Sequence, residues 1–171
     1  MTIISRPSPN FGKRPEGVTP NCIVLHADAS PTEEGTLSWM AAPKSGVSYH
    51  YLIARDGTIY QLVPDAMRAW HAGISTFAGR NNCNDYSLGV SFSNNQTGEP
   101  FKPAALAAGV PLVADLCQRW RIPLPRITTH AVISPGRKHD PGPLFPFAQF
   151  VTDVGAELGR RRAILPPPPL P

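Results

Sequence analysis

A chain of 171 residues, 42% hydrophobic and 16% charged, is long enough for one ordinary core and too short to favour two domains. Its formal charge of +4 and pI near 9.2 favour an anionic partner. Basic residues are nevertheless dispersed apart from "GRRR" ending at Arg162, and no aromatic-basic alternation offers a base-stacking surface, so nucleic acid is set aside as a partner. After a proline-rich lead-in, "NCIVLH" reads as a buried strand ending at His26, followed by a polar loop and a short helix around "TLSWMAA". "SYHYLIAR" and "TIYQLV" read as strands joined at "DG", a hairpin signal. From Pro64 to Tyr86 the chain is long, polar and Gly/Asn-rich, a length that inside a compact domain implies function or structure of its own. "YSLGVSFS" is a further strand, and "KPAALAAGVPLVADLCQRW" is either one helix kinked at Pro111 or two helices. "RITTH" is a brief strand ending at His130. "PFAQFVTDVGAEL" has helical periodicity and is expected to stop at Gly159.

These elements predict an α/β fold: a single domain with a mixed central β-sheet flanked by helices over residues 1–159, with 160–171 as a basic, proline-rich tail. The tail reads as a frayed terminus or as an attachment to anionic envelope polymers. No apolar run approaches a membrane span, and "MTIISRPSPNFGKRPEG" lacks the apolar stretch of a signal peptide. A cytoplasmic monomer as synthesised is the expectation, reaching a cell wall only after membrane disruption. Cys22, Cys83 and Cys117, an odd number widely spaced, read as buried thiols.

The chemistry concentrates in "HAVISPGRKHD", residues 130–140. His26 and His130 end predicted strands, where a rigid scaffold hands over to loops. A catalytic zinc takes three protein ligands and leaves a fourth position to water, so a third ligand is needed beside these two. Asp140 and His139 are the candidates, and Asp140 is favoured because Pro141 restricts its backbone. Amide hydrolysis builds negative charge on the carbonyl oxygen, and Lys138 is near enough in sequence to face that charge. Taken singly, each residue also has a bland reading, as a strand-end histidine, a turn aspartate or a solvated lysine.

"IVLHADAS", "SYHYLIARDGTIYQLVP", "RAWHAGIS", "GRNNCNDYSLGV" and "THAVISPGRKHDPGP" occur in order at fitting spacing. Together they resemble the zinc-dependent N-acetylmuramoyl-L-alanine amidases of type 2, relatives of phage lysozyme-type amidases, cytoplasmic muropeptide-recycling amidases and peptidoglycan recognition proteins. The resemblance implies Zn2+ held by His26, His130 and Asp140, Lys138 facing the developing oxyanion, and cleavage between N-acetylmuramic acid and L-alanine. In the recycling branch the strand matching "LGVSFS" carries a glutamate base where this chain has Ser91, which cannot take that proton. The phage branch uses a tyrosine where this chain has Tyr49, so Tyr49 and Lys138 are assigned as the catalytic pair. Trp70 and His71 are assigned by the resemblance to the substrate groove, although a Trp-His pair packed under the long loop is as good a reading. His50 is expected in the core or in a bond behind the site, and His139 in solvent.

The leading expectation is thus a zinc amidase acting on peptidoglycan as a phage endolysin, favoured by the basic pI and tail. Its alternatives are a cytoplasmic muropeptide-recycling amidase, a non-catalytic peptidoglycan-binding module and an unrelated metal hydrolase.

Overall fold

The computed structural model describes residues 1–164; the proline-rich end of the predicted tail lies outside the described residues. In chain order come β1 (Ile3–Ser5), β2 (Phe11–Lys13), β3 (Cys22–Ala27), α1 (Glu33–Ala41), β4 (Tyr51–Ile53), β5 (Ile59–Gln61), β6 (Met67–Ala69), β7 (Thr76–Phe77) and β8 (Arg80–Asn81). Then follow β9 (Ser87–Phe92), α2 (Pro103–Trp120), β10 (Ile127–Thr129), α3 (His130–Ile133) and α4 (Phe147–Ile164). Six strands form the central sheet in the order β1-β5-β4-β9-β3-β10. All neighbours are parallel except β4 and β5, the predicted hairpin. Gly57 of its "DG" turn has φ +91, a backbone region in which a side chain would be strained.

β3 and β9 are buried along their whole lengths, as expected for central strands of a mostly parallel sheet covered on both faces. The period of two separates their side chains cleanly. Ile23, Leu25, Ala27, Leu88, Val90 and Phe92 enter the main core with residues of α2 and α4. Cys22 and Val24 face the other way, packing with Ala72, Cys83, Tyr86 and Ile133. All three cysteines are buried and free.

Three features extend the sequence reading and one departs from it. The proline-rich lead-in, which the residue pattern leaves without an element, carries two strands: β1 pairs with β5, and β2 pairs with β6. The polar stretch after Pro64 carries β6 and the β7–β8 ribbon. Of the two options for 103–120, one uninterrupted helix forms, with Pro111 inside it; burial of Leu112, Val113 and Leu116 against the sheet outweighs the lost backbone bond. Gly159 does not stop α4, which runs on to Ile164. Glycine inside a helix costs about 1 kcal/mol relative to alanine, and here Arg160 and Arg161 both bond Glu157 while Arg161 reaches the Pro111 carbonyl at 3.0 Å. The first arginines of the predicted tail therefore belong to a packed helix. No described helix is long and apolar enough to cross a membrane.

Candidate metal centre

β3 and β10 are adjacent and parallel, with Leu25 opposite Thr129, so the residues that follow, His26 and His130, emerge side by side. Thr129 caps the turn after it: its hydroxyl accepts from the Val132 N–H at 3.3 Å. Threonine is a favoured N-cap, and this is why His130 opens α3 instead of ending a strand as the sequence pattern suggested. The Ala131 N–H then donates to the Asp140 carbonyl at 2.9 Å, closing the loop and returning Asp140 beside His130. The two ends of "HAVISPGRKHD" are brought together by backbone bonding.

His26, His130 and Asp140 form a group able to hold a metal ion. His26 Nδ1 lies 3.1 Å from both His130 Nδ1 and Asp140 Oδ2, and His130 Nδ1 lies 3.1 Å from Asp140 Oδ1. The far nitrogens determine what these atoms are. His130 Nε2 is 3.1 Å from the Ala72 carbonyl, which only accepts, so the neutral ring carries its proton there. The Ser87 hydroxyl donates to the Cys83 carbonyl at 2.5 Å and so accepts from His71 Nε2 at 3.1 Å. His71 then presents a bare Nδ1 to His26 Nε2 at 3.0 Å, and His26 keeps its proton on Nε2. These proton positions follow from the directions of the network. Two imidazole lone pairs and a carboxylate thus face one another with no proton among them, an arrangement that a cation satisfies.

The electrostatics agree. Burial lowers the pKa of His26 to about 4, with the Asp140 bond opposing only in part, so the ring is neutral and its lone pair available at pH 7. Burial, followed by the nearby His26 and His50, also holds His71 well below its ordinary value. For Asp140, burial acts upward, but the two histidines outweigh it and keep the carboxyl well below the usual range.

Tyr49 packs beside His26 with ring centroids 5.1 Å apart. Burial, then the charges of Asp140 and Asp28, push its phenol above the ordinary range; it stays protonated and is a donor. Ser91 stands opposite His26 in the sheet register. Its hydroxyl is close enough to ease Tyr49 ionisation, yet it is buried without a hydrogen bond of normal geometry. Lys138 is exposed, and its charge acts on His26 against protonation. His139 is exposed, away from the cluster.

For Trp70 and His71 the structure accords with the packed reading. His71 is 6% exposed and sits behind His26, touching that imidazole. Trp70, next in sequence, has its indole edge beside Gly12 of β2, with a buried Nε1 that finds no partner. His50 lies in the interior: its Nδ1 accepts from the Gly89 N–H at 2.9 Å and its Nε2 donates to the Met67 carbonyl at 3.1 Å. Sequence reasoning missed Asn84, Ser87 and Arg137. The Arg137 guanidinium bonds the Ala72 and Ile74 carbonyls at 2.5 and 2.8 Å and the Ser134 hydroxyl at 2.7 Å, tying the 72–74 segment to the 130–140 loop. The available signal for the first two was their place in "GRNNCNDYSLGV".

The family model described as N-acetylmuramoyl-L-alanine amidase matches residues 16–143. The chain is 35% identical over 161 residues to the 1,6-anhydro-N-acetylmuramyl-L-alanine amidase AmpD of Enterobacter cloacae, covering 84% of this chain and 86% of that protein. The crystal structure of a selenomethionine AmpD derivative superposes with a TM-score of 0.77 at 34% identity, covering 88% of this chain and 93% of the other. The Escherichia coli amidase AmiD, in complex with the substrate anhydro-N-acetylmuramic acid-L-Ala-D-gamma-Glu-L-Lys, gives a TM-score of 0.72 at 34% identity over 82% of this chain and 60% of that one.

Proposed function

Because the chain belongs to the N-acetylmuramoyl-L-alanine amidase family, we propose that it is a zinc enzyme hydrolysing the amide between N-acetylmuramic acid and L-alanine in soluble anhydro-muropeptides. The single observation that carries the metal assignment is the meeting of two bare Nδ1 atoms and an Asp140 oxygen at about 3.1 Å. Donors about 2.0–2.2 Å from a tetrahedral zinc stand about 3.3–3.6 Å apart, so the spacing of this trio is within a few tenths of an ångström of what such an ion would need. Bound there, zinc would supply Lewis acidity and lower the pKa of water.

The chain's own residues do the rest. His26, His130 and Asp140 hold the ion; the protonated Tyr49 phenol and the Lys138 ammonium stabilise negative charge on the reacting carbonyl oxygen. Ser91 offers no carboxylate to accept a proton. All three ligand positions are filled, which disfavours a module that binds without cutting.

The recycling substrate is preferred over the intact wall, reversing the order suggested by the basic composition. Its support is the 86% coverage of a relative named for the 1,6-anhydro sugar and the anhydro-muropeptide in the AmiD complex. The basic tail is also weaker support for an endolysin than its composition implied, because Arg160 and Arg161 are paired with Glu157 inside α4. The test compares soluble anhydro-muropeptides with intact sacculi, reading the release of peptides that begin with free L-alanine. Faster turnover of the soluble substrate, abolished by chelation and restored by zinc, is expected. Equal or faster release from sacculi would sink the recycling role, and full activity after thorough metal removal would sink the mechanism.

A further inference from the structure

The two metal-binding histidines are approached from behind by consecutive residues of one strandless segment. His71 Nδ1 meets His26 Nε2 at 3.0 Å, and the Ala72 carbonyl meets His130 Nε2 at 3.1 Å. That dipeptide hangs from one side chain: the Asn84 Oδ1 accepts from the His71 N–H at 3.0 Å and from the Ala72 N–H at 2.8 Å. The His71 ring is locked at its other end by Ser87 and lies flat on β9 at Gly89, where a Cβ would come within 2.6 Å of its Cγ. Any larger residue at 89 would expel the ring.

We propose that the His71–Ala72 dipeptide, suspended from Asn84 and locked by Ser87, orients both metal-binding imidazoles and obliges each to present Nδ1 to the ion. This rests on the reading of His26, His130 and Asp140 as ligands. The physical reason is that an imidazole is a ligand only through its unprotonated nitrogen, and the bond made by the other nitrogen decides which one that is. A ring free to carry its proton on Nδ1 would have to change tautomer before binding. Asn84, Ser87 and His71 are therefore positioning residues, touching neither ion nor substrate.

The experiment is zinc titration of the full chain against a chromophoric chelator, with 15N spectra of the zinc-bound protein to read the tautomers. Asn84→Ala, Ser87→Ala and His71→Leu are expected to weaken zinc binding by about 10–100-fold, the usual effect of removing such outer partners. Asn84→Asp and His71→Asn keep an acceptor in place and are expected to restore most of the affinity. His26 and His130 are both expected to show a protonated Nε2 in the wild type. Unchanged affinity in all three disabling variants, or ligation through Nε2, would overturn the proposal. So would an affinity loss matched by a remote variant of equal instability, such as Val154→Ala in α4, since that would be a general effect of loosened packing. His26→Ala separates the two readings: if it binds zinc as tightly as wild type, the metal site itself is wrong, whereas if it alone loses zinc, only the orienting role fails.

Discussion

Along β9, Leu88, Val90 and Phe92 face the helices while Ser87 and Gly89 meet the histidine cluster, with Ser91 opposite His26. Each face is approached closely through a glycine. On the helix side Gly109 of α2 lets the helix settle on Phe92, where an added Cβ would be 2.7 Å from the ring; on the site side Gly89 lets His71 lie against the strand. The same device serves burial on one face and hydrogen-bond direction on the other. Damage to the first face should therefore lower stability and spare metal binding, and damage to the second should do the reverse.

The largest effect should come from the site face. Asp140→Ala is expected to remove bound zinc and all measurable hydrolysis while the metal-free protein melts close to the metal-free wild type, because the side chain is at the rim of the fold with 14% of its surface exposed. Zinc retained in that variant would show that the ligand set is misassigned. A smaller loss is expected from Tyr49→Phe. Removing one donor to a developing oxyanion lowers turnover by about 100-fold or more, with zinc content unchanged; a wild-type rate would take Tyr49 out of the reaction.

Much of this division was legible in the residues. The alternation in "YSLGVSFS" announces one apolar and one small, polar face, and His26 at the end of "NCIVLH" announces a residue delivered to a rim. For a third candidate ligand the residues favoured Asp140 over His139 only through Pro141, and the full candidate set rested on the ordered blocks shared with a family; in the structure the Ala131 N–H bond to the Asp140 carbonyl returns that residue to His130. What stayed hidden depended on long-range contact. No local pattern tells that His71 would turn toward His26 and not toward a groove, since the directing partners Ser87 and Cys83 lie at least 12 residues further on. The proline-rich opening showed no strand pattern, because edge strands of three residues are set by the partners they find, β5 and β6, and not by their own sequence.

The paired glycines sharpen the comparison further. Gly109→Ala improves helix propensity by about 1 kcal/mol, but the clash with Phe92 and Phe150 brings an overpacking cost of about 1–3 kcal/mol, so net destabilisation is expected with zinc affinity intact. Gly89→Ala is expected to weaken zinc binding, through displacement of His71, more than Gly109→Ala does at comparable melting temperature. Equal effects of the two on metal affinity would erase the distinction between the faces.

The smallest effect concerns acid, and it tests whether the site face carries a stability cost of its own. Burial, then the Arg14 charge, lowers the pKa of His50 from 6.5 to about 3, so below about pH 6.5 the unfolded chain takes up a proton that the folded chain refuses. With more protons bound in the unfolded state, stability rises with pH; the contribution of neutral His50 is complete above pH 6.5 and is lost as pH falls toward 3. Each such group gives a slope of about 1.4 kcal/mol per pH unit within that window, and His71 acts in the same direction. Chelated protein melted between pH 6.5 and 5, above the range where most carboxylates titrate, should lose stability steadily. His50→Asn keeps an acceptor for the Gly89 N–H, and it should start less stable but show a shallower decline. An equal slope in the variant would mean that His50 is charged in the folded chain, which its bonds to the Gly89 N–H and the Met67 carbonyl do not permit.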